Sequence, residues 1–348
     1  MKTVAGNLSI KKLLVNRVTI LVVTAACLYL PASSQDLHFS QFMNNPLLTN
    51  PANTGFNPDF DYRIGASYRN QWSNIPVPYK TMSIWGDAQV MKDRFQNGWL
   101  GLGAVILRDV AGSGNLTSTK AYGSIAYHQQ LGEGSLLSAG FNVGWASKSI
   151  DITNFKWENQ WNGKFFDANA ISGEQFAYSQ VGYADVQLGL NYAYFANENL
   201  YLNAGASIMH VNKPKESFFD NSDNRVPQRY TGFANASYKI NDQWILNPNV
   251  YYSYQNGSSE IVGGLMAQYN LSGDGEKQLI GGAYLRAGDA AVAMVGLQWS
   301  NLRLTFTYDA STSAIRNYNS GNGAIEFSLV KYGQYVPGTP KDTRCPSF

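Results

Sequence analysis

The sequence predicts an all-β fold, a transmembrane antiparallel β-barrel of about fourteen strands. Three observations predict it. Charged residues make up only 14% of the 348 residues, while Gly 33, Tyr 22, Phe 17 and Trp 8 are high counts. Soluble domains carry about 25% charged residues. From about residue 59 to residue 332, apolar and polar residues alternate with a period of two. Every second connection between these segments is also short, and the three longest all fall among the others. A chain poor in charge and rich in aromatics suits a wall with lipid on one face and water or polar side chains on the other.

The N-terminus comes first. Lys2, Lys11, Lys12 and Arg17 precede an apolar run from Val18 to Leu30, followed by Pro31 and the small residues Ala32, Ser33 and Ser34. This predicts a cleaved Sec signal peptide over 1–34, with Gln35 first in the mature chain. A rival cleavage before a lipidated Cys27 is disfavoured by Thr24, where a lipobox takes an aliphatic residue. Four of the 26 basic residues and none of the 24 acidic ones lie in 1–34, so the mature chain is slightly acidic. That balance gives no footprint for nucleic acid. Cys345 is the only cysteine after residue 34, so no intrachain disulfide is expected in the mature chain.

The strands follow in order. Alternation places them near 59–72, 78–90, 98–108, 117–130, 135–148, 181–196 and 198–211. The rest lie near 227–240, 242–255, 259–271, 277–287, 289–300, 301–311 and 321–332. In 184–194, Ala184, Val186, Leu188, Leu190, Tyr192 and Tyr194 share one face, and Asp185, Gln187, Gly189, Asn191 and Ala193 the other. In 302–309, Leu302, Leu304, Phe306 and Tyr308 oppose Arg303, Thr305, Thr307 and Asp309. The polar face is mainly Asn, Gln, Ser, Thr and Gly. A soluble sandwich would carry many Lys and Glu there. Tilted strands of this length cross a bilayer.

If the N-terminus lies in the periplasm, the connections near 91–97, 131–134, 196–198, 241–242, 272–276 and 300–301 are periplasmic, and all are short. The long ones, near 149–180, 212–226 and 312–320, all fall outside the cell. In the first, Trp157, Trp161, Phe165, Phe166 and Phe176 stand among Asn, Gln and Gly. In the second, Phe218 and Phe219 stand among mixed charges. Exposed aromatic clusters mark protein contact sites, and aromatic rings also cap barrel mouths. Both readings stay open.

The segment 35–58 breaks the alternation. Between Gln35 and Phe56 it holds Pro46, Pro51 and four Asn among aromatic and apolar residues, which predicts an extended, irregular course. It is too apolar for a free tail, so it packs in the barrel mouth as a plug or against a periplasmic partner. By alternation Asp185, Lys239, Arg303, Asp309 and Glu326 face the lumen. In an open channel such charges set ion selectivity; in a closed barrel they pair with each other or with an inserted segment. The Asn-rich N-terminal stretch is expected to supply those partners, which favours a closed barrel.

This segment also carries a resemblance. Phe39-Ser40-Gln41-Phe42, Asn45-Pro46, Asn50-Pro51-Ala52 and Gly55 resemble the mature N-terminus of the PorP/SprF family. The similarity continues through Tyr68-Arg69-Asn70-Gln71-Trp72 and Gly86-Asp87-Ala88. The ending Cys345-Pro346-Ser347-Phe348 resembles the family's Cys-Pro-Arg-Phe, with Ser347 in place of Arg, so a charge-based role of the 333–348 tail does not carry over. The resemblance implies an outer-membrane component of type IX protein secretion in Bacteroidetes-type bacteria. It implies contact with secretion or gliding machinery, and support for export or surface attachment of a large secreted client, in some members a gliding adhesin. A passive or ligand-selective channel is the alternative.

Catalytic patterns are absent from the sequence. One Ser-x-x-Lys, Ser9 to Lys12, lies in the signal peptide; another, Ser328 to Lys331, lies on a predicted strand, where residues three apart point to opposite faces; and no His-Glu-x-x-His, Gly-x-Ser-x-Gly or phosphate-binding loop occurs. His128 on a strand has no assignable Ser or acid partner. Asp59 with Asp61, and Asp220 with Asp223, offer too few oxygen ligands for calcium. The expectation is a non-enzymatic protein without cofactor or metal, whose partners are outer-membrane lipid, the secretion machinery and a client.

Overall fold

The computed structural model describes residues 37–335, apart from 58, 113, 133, 153–154, 168, 172, 174–177 and 221 and the side chain of residue 93. The expected signal peptide and its cleavage site, Phe176, and the tail beyond residue 335 with Cys345 lie outside the described residues. Fourteen strands are present. The first seven are β1 (Tyr62–Gln71), β2 (Tyr79–Phe95), β3 (Gly98–Ala111), β4 (Leu116–Gln130), β5 (Ser135–Ser149), β6 (Gln180–Asn197) and β7 (Leu200–Met209). The rest are β8 (Arg229–Lys239), β9 (Trp244–Gln255), β10 (Ser258–Asn270), β11 (Lys277–Arg286), β12 (Ala290–Trp299), β13 (Leu302–Ser311) and β14 (Asn322–Gly333). Each pairs antiparallel with its neighbours in sequence, and β1 pairs with β14, closing the barrel. Closure matters because an open edge would leave backbone N–H and C=O groups unpaired in hydrocarbon. Among the described residues no helix is long and apolar enough to cross a membrane.

The alternation sorts side chains as the sequence suggests. Ile84, Leu188, Leu190, Leu304 and Leu329 are exposed on the outer wall, while Gln187, Asn191, Thr305 and Ser328 are buried inside. Toward the short-turn end the outer wall carries Tyr127, Tyr192, Tyr194, Tyr238, Trp244 and Trp299. Toward the long-loop end it carries Tyr68, Trp145, Tyr230, Tyr252, Tyr254 and Tyr308. Two aromatic girdles flanking an apolar band match the two interfaces of a bilayer.

Local sequence sets the connections. Asn256 and Gly257 both take positive φ, 48° and 82°, between β9 and β10, as a type I′ hairpin turn requires. One predicted connection is corrected. Residues 91–97 are not all turn: β2 runs to Phe95, with Met91 at φ 56° and a register shift between Val90 and Phe95. The shift is a bulged strand end of the kind common at barrel rims, and the chain turns only at residues 96–97.

Candidate functional site

The lumen is where residues of most chemical character converge. Residues 37–57 enter it as three short helical turns, Phe42–Asn44, Pro46–Thr49 and Pro51–Asn53. Pro46 and Pro51 open the second and third turns, positions where a missing N–H costs nothing. The Asn50 side chain caps the third by accepting from the Ala52 N–H at 2.9 Å. Leu47, Asn50, Ala52 and Gln41 are wholly buried, so the segment fills the barrel interior as a plug.

Charge ties down its start. The Glu326 carboxylate accepts the Ser40 N–H at 2.8 Å and the Gln41 N–H at 3.0 Å. Ser40 Oγ donates to Asp309 at 2.7 Å and accepts from Arg69 Nη1 at 2.6 Å and Arg286 Nη2 at 2.7 Å. Arg69 also reaches Asp309 at 3.0 Å, and Arg286 Nε lies 2.9 Å from Glu260. Arg229 donates to the Leu37 carbonyl at 3.0 Å. His38 lies 3.7 Å from Glu260, and burial pushes its imidazole down to about 4, so it is neutral at physiological pH. Buried charges of both signs thus meet each other and the plug backbone, the arrangement that makes burial of charge tolerable.

The asparagines do a different job from the one expected of them. Asn45 donates to Ser67 at 3.1 Å and accepts from Ser83 at 2.7 Å, and Asn44 donates to Thr305 at 2.9 Å. Asn50 Nδ2 donates to the Leu190 carbonyl at 2.8 Å. They bind hydroxyls and backbone carbonyls of the wall, whereas the charges are met by Ser40 and the Gln41 backbone.

The end of the plug is seated by small inward residues. Gly55, at φ 65°, donates its N–H to Asp87 at 2.7 Å, and Arg63 holds Asp87 from the other side. A Cβ on Gly101 would lie 1.9 Å from the Thr54 carbonyl oxygen, and one on Gly189 1.9 Å from Asn50 Oδ1. Only glycine lets the wall approach the plug this closely. His128 sets one ring nitrogen 2.8 Å from the Thr54 carbonyl and the other 2.7 Å from Ser138 Oγ. It is wholly buried, and its partners make it an anchor of the plug.

The five charges expected in the lumen lie on inward positions, but not together. Asp309 and Glu326 share the Arg69 cluster. Asp185, on the far wall, accepts from Tyr122 at 2.7 Å and lies 2.9 Å from His210 Nδ1. Arg303 bonds Gln298 at 2.7 Å near the short-turn end, and Lys239 pairs with the exposed Asp242 at the rim. Arg286, Glu260 and Arg229 were not singled out from the sequence, although each sits at an inward position of a predicted strand. Extending the parity count to every charged residue would have found them.

The aromatic loop residues lie at the long-loop end. Trp161 and Phe166 face each other in an antiparallel bridge, and Lys156 Nζ stands 5.4 Å from the centre of the Phe166 ring. Trp161, Phe165 and Phe219 are more exposed; Trp157 and Phe218 are half-buried, Trp157 against Phe155. The two loops are joined at their base. Glu216 accepts from Lys148 at 2.6 Å and from Tyr183 at 2.9 Å, and the Phe218 carbonyl accepts the Tyr178 N–H at 3.2 Å. At the short-turn end the lumen opens as a vestibule of about 780 Å³, bordered by Phe42, Met43 and Pro46 of the plug and by wall residues such as Asn203, Gln268 and Arg303.

Comparison with known proteins agrees with this architecture. A TodX monoaromatic hydrocarbon channel (deltaS2 mutant) superposes with a TM-score of 0.50 at 10% identity, over 84% of this chain and 94% of that one. The Ralstonia pickettii toluene transporter TbuX gives 0.48 at 12% identity, over 83% and 93%. A Pseudomonas aeruginosa FadL homologue gives 0.49 at 9% identity, over 82% and 93%. At such identity the likeness to the TodX channel shows the barrel fold alone. No curated protein matches the chain. The family model of the type IX secretion system membrane protein PorP/SprF matches residues 32–330, which take in the plug and almost the whole barrel, and the chain therefore belongs to that family of outer-membrane secretion components.

Proposed function

We propose that this barrel is a scaffold that supports export or cell-surface attachment of one large secreted client, in the manner of a gliding or surface adhesin, and that it is not a solute channel or an enzyme. The observation that carries the reading is the division of labour between the two ends. Residues 37–57 fill the lumen through buried hydrogen bonds and ion pairs, so the wall is braced and the solute path is blocked. Glu216 ties the second long loop to Lys148 and Tyr183 on the strands that carry the first, the Phe218 carbonyl accepts the Tyr178 N–H of that first loop, and the two loops present Trp161, Phe165 and Phe219 to solvent. Recognition loops on a rigid frame are a common arrangement, and aromatic rings are favoured where proteins meet. In this reading the long loops face outside and hold the client, and the short-turn end meets the periplasmic secretion or gliding machinery.

Gene deletion with quantitative surface proteomics and a solute-uptake assay tests the reading. Loss of one surface protein with unchanged uptake is the expected result. An intact secretome with altered uptake would favour a passive or ligand-selective channel instead. What counts against that alternative is the plug.

A further inference from the structure

The barrel wall is interrupted along the β8–β9 seam. Asn235 pairs with Asn249, and pairing resumes at Tyr238 with Leu246. The two positions between, Ala236 opposite Pro248 and Ser237 opposite Asn247, carry no ladder pairing, although the register on either side is the same. The irregularities beside Val90, Phe195 and Asp309 are of another kind, register shifts. Pro248 brings no N–H to the ladder. Asn235 Oδ1 and Asn247 Nδ2 are buried there without a hydrogen-bond partner.

Both sides of this seam are hollow. On the lipid-facing side, Ala204, Ala234, Ala236 and Pro248 floor a groove of about 650 Å³ bordered by Tyr192 and Tyr194. On the inner side lies the vestibule, with Phe233 and Met266 on its wall. Asn203, Asn235, Ala236 and Asn249 border both spaces. Unpaired backbone at membrane depth is tolerated only where it lies in protein or lines a water-filled cavity, and here the vestibule supplies that cavity.

We propose that the β8–β9 seam is a lateral portal through which one acyl chain of a membrane phospholipid passes from the groove into the vestibule. The groove opens onto the bilayer and its floor is apolar. Tyr238 and Trp244, exposed at the ends of β8 and β9, mark the interface at which the headgroup stays. The chain then runs inward toward Phe233 and Met266, the latter paired with Asn247 on the seam. This inference does not depend on the client-holding role.

The test uses the full mature chain with Cys345→Ser, in phospholipid vesicles doped with a phospholipid bearing a diazirine at the end of one acyl chain. Cross-links are mapped by mass spectrometry. Inward-facing Phe233 and Met266 are expected to label, along with outward-facing Leu190. Ser237→Cys with Asn247→Cys, oxidised, staples the seam. Inward labelling is expected to fall at least tenfold and to return on reduction, while Leu190 labelling stays constant. Pro248→Val, which returns the missing N–H, is expected to act in the same direction without a staple. Labelling confined to outward-facing residues in the unstapled protein, or inward labelling unchanged by both closures, overturns the proposal.

Discussion

Glu326 carries an unusual load for one side chain. Its carboxylate accepts two successive backbone N–H groups of the plug, from Ser40 and Gln41, while Arg69 balances its charge at 3.3 Å. Glu326→Gln keeps the shape but leaves one N–H facing an amide donor and removes one of the two carboxylates that balance Arg69, Asp309 remaining at 3.0 Å. Breaking a buried pair on one side costs about 3–5 kcal/mol. Plug docking is expected to weaken by that order, read as faster protease cleavage within residues 37–57 in the purified barrel. A second prediction is steric. Gly189→Ala puts a Cβ 1.9 Å from Asn50 Oδ1 and is expected to expose the plug likewise, whereas Gly281→Ala, with nothing within 4 Å, is expected to leave it protected. At this scale the sequence was half legible. Parity alone turned Asp309 and Glu326 inward. Their partners were not legible, because Arg69 stands 240 residues from Asp309 in the chain and meets it only across the closed lumen. The role of Ser40 was visible only as a motif letter.

The strands are the most legible elements, since each has to satisfy two solvents at once. Alternation found all fourteen, and the boundaries moved by a few residues, most at the bulged end of β2. The charge economy of the lipid face gives a direct check. Leu190 lies midway along β6, on the outer wall and exposed. Leu190→Arg is expected to destabilise the folded barrel by about 2–4 kcal/mol in urea titrations from vesicles, the depth-dependent cost of a cation near the midplane. Lys164→Ala, on the long loop, is expected to stay within about 0.5 kcal/mol. The plug was legible as a segment that must pack somewhere. Its three helical turns and its fit against Gly101 and Gly189 were not, because they depend on how closely a distant wall approaches. The interrupted β8–β9 ladder was equally hidden: Pro248 sits in a run that otherwise alternates well.

For the whole molecule, closure, the plug and the sided loops belong to one design. A closed barrel removes the edges, the plug fills the lumen with paired polar groups, and the long connections gather at one end. Loop parity was legible because a miscounted strand would have mixed long and short connections. The latch through Glu216 was not, since it joins Lys148 and Tyr183 on neighbouring strands to a loop that enters later in the chain. The central claim, that the latched loops hold a secreted client, is tested most directly by affinity purification of the tagged protein from detergent-solubilised outer membrane, with mass spectrometry of what accompanies it. The account predicts recovery of one large secreted protein through its terminal domain, and at least a tenfold loss of it when residues 150–179 are replaced by a short turn that leaves the barrel folded. A barrel that purifies without a secreted protein, or one whose partner is retained after the loop is removed, would contradict it.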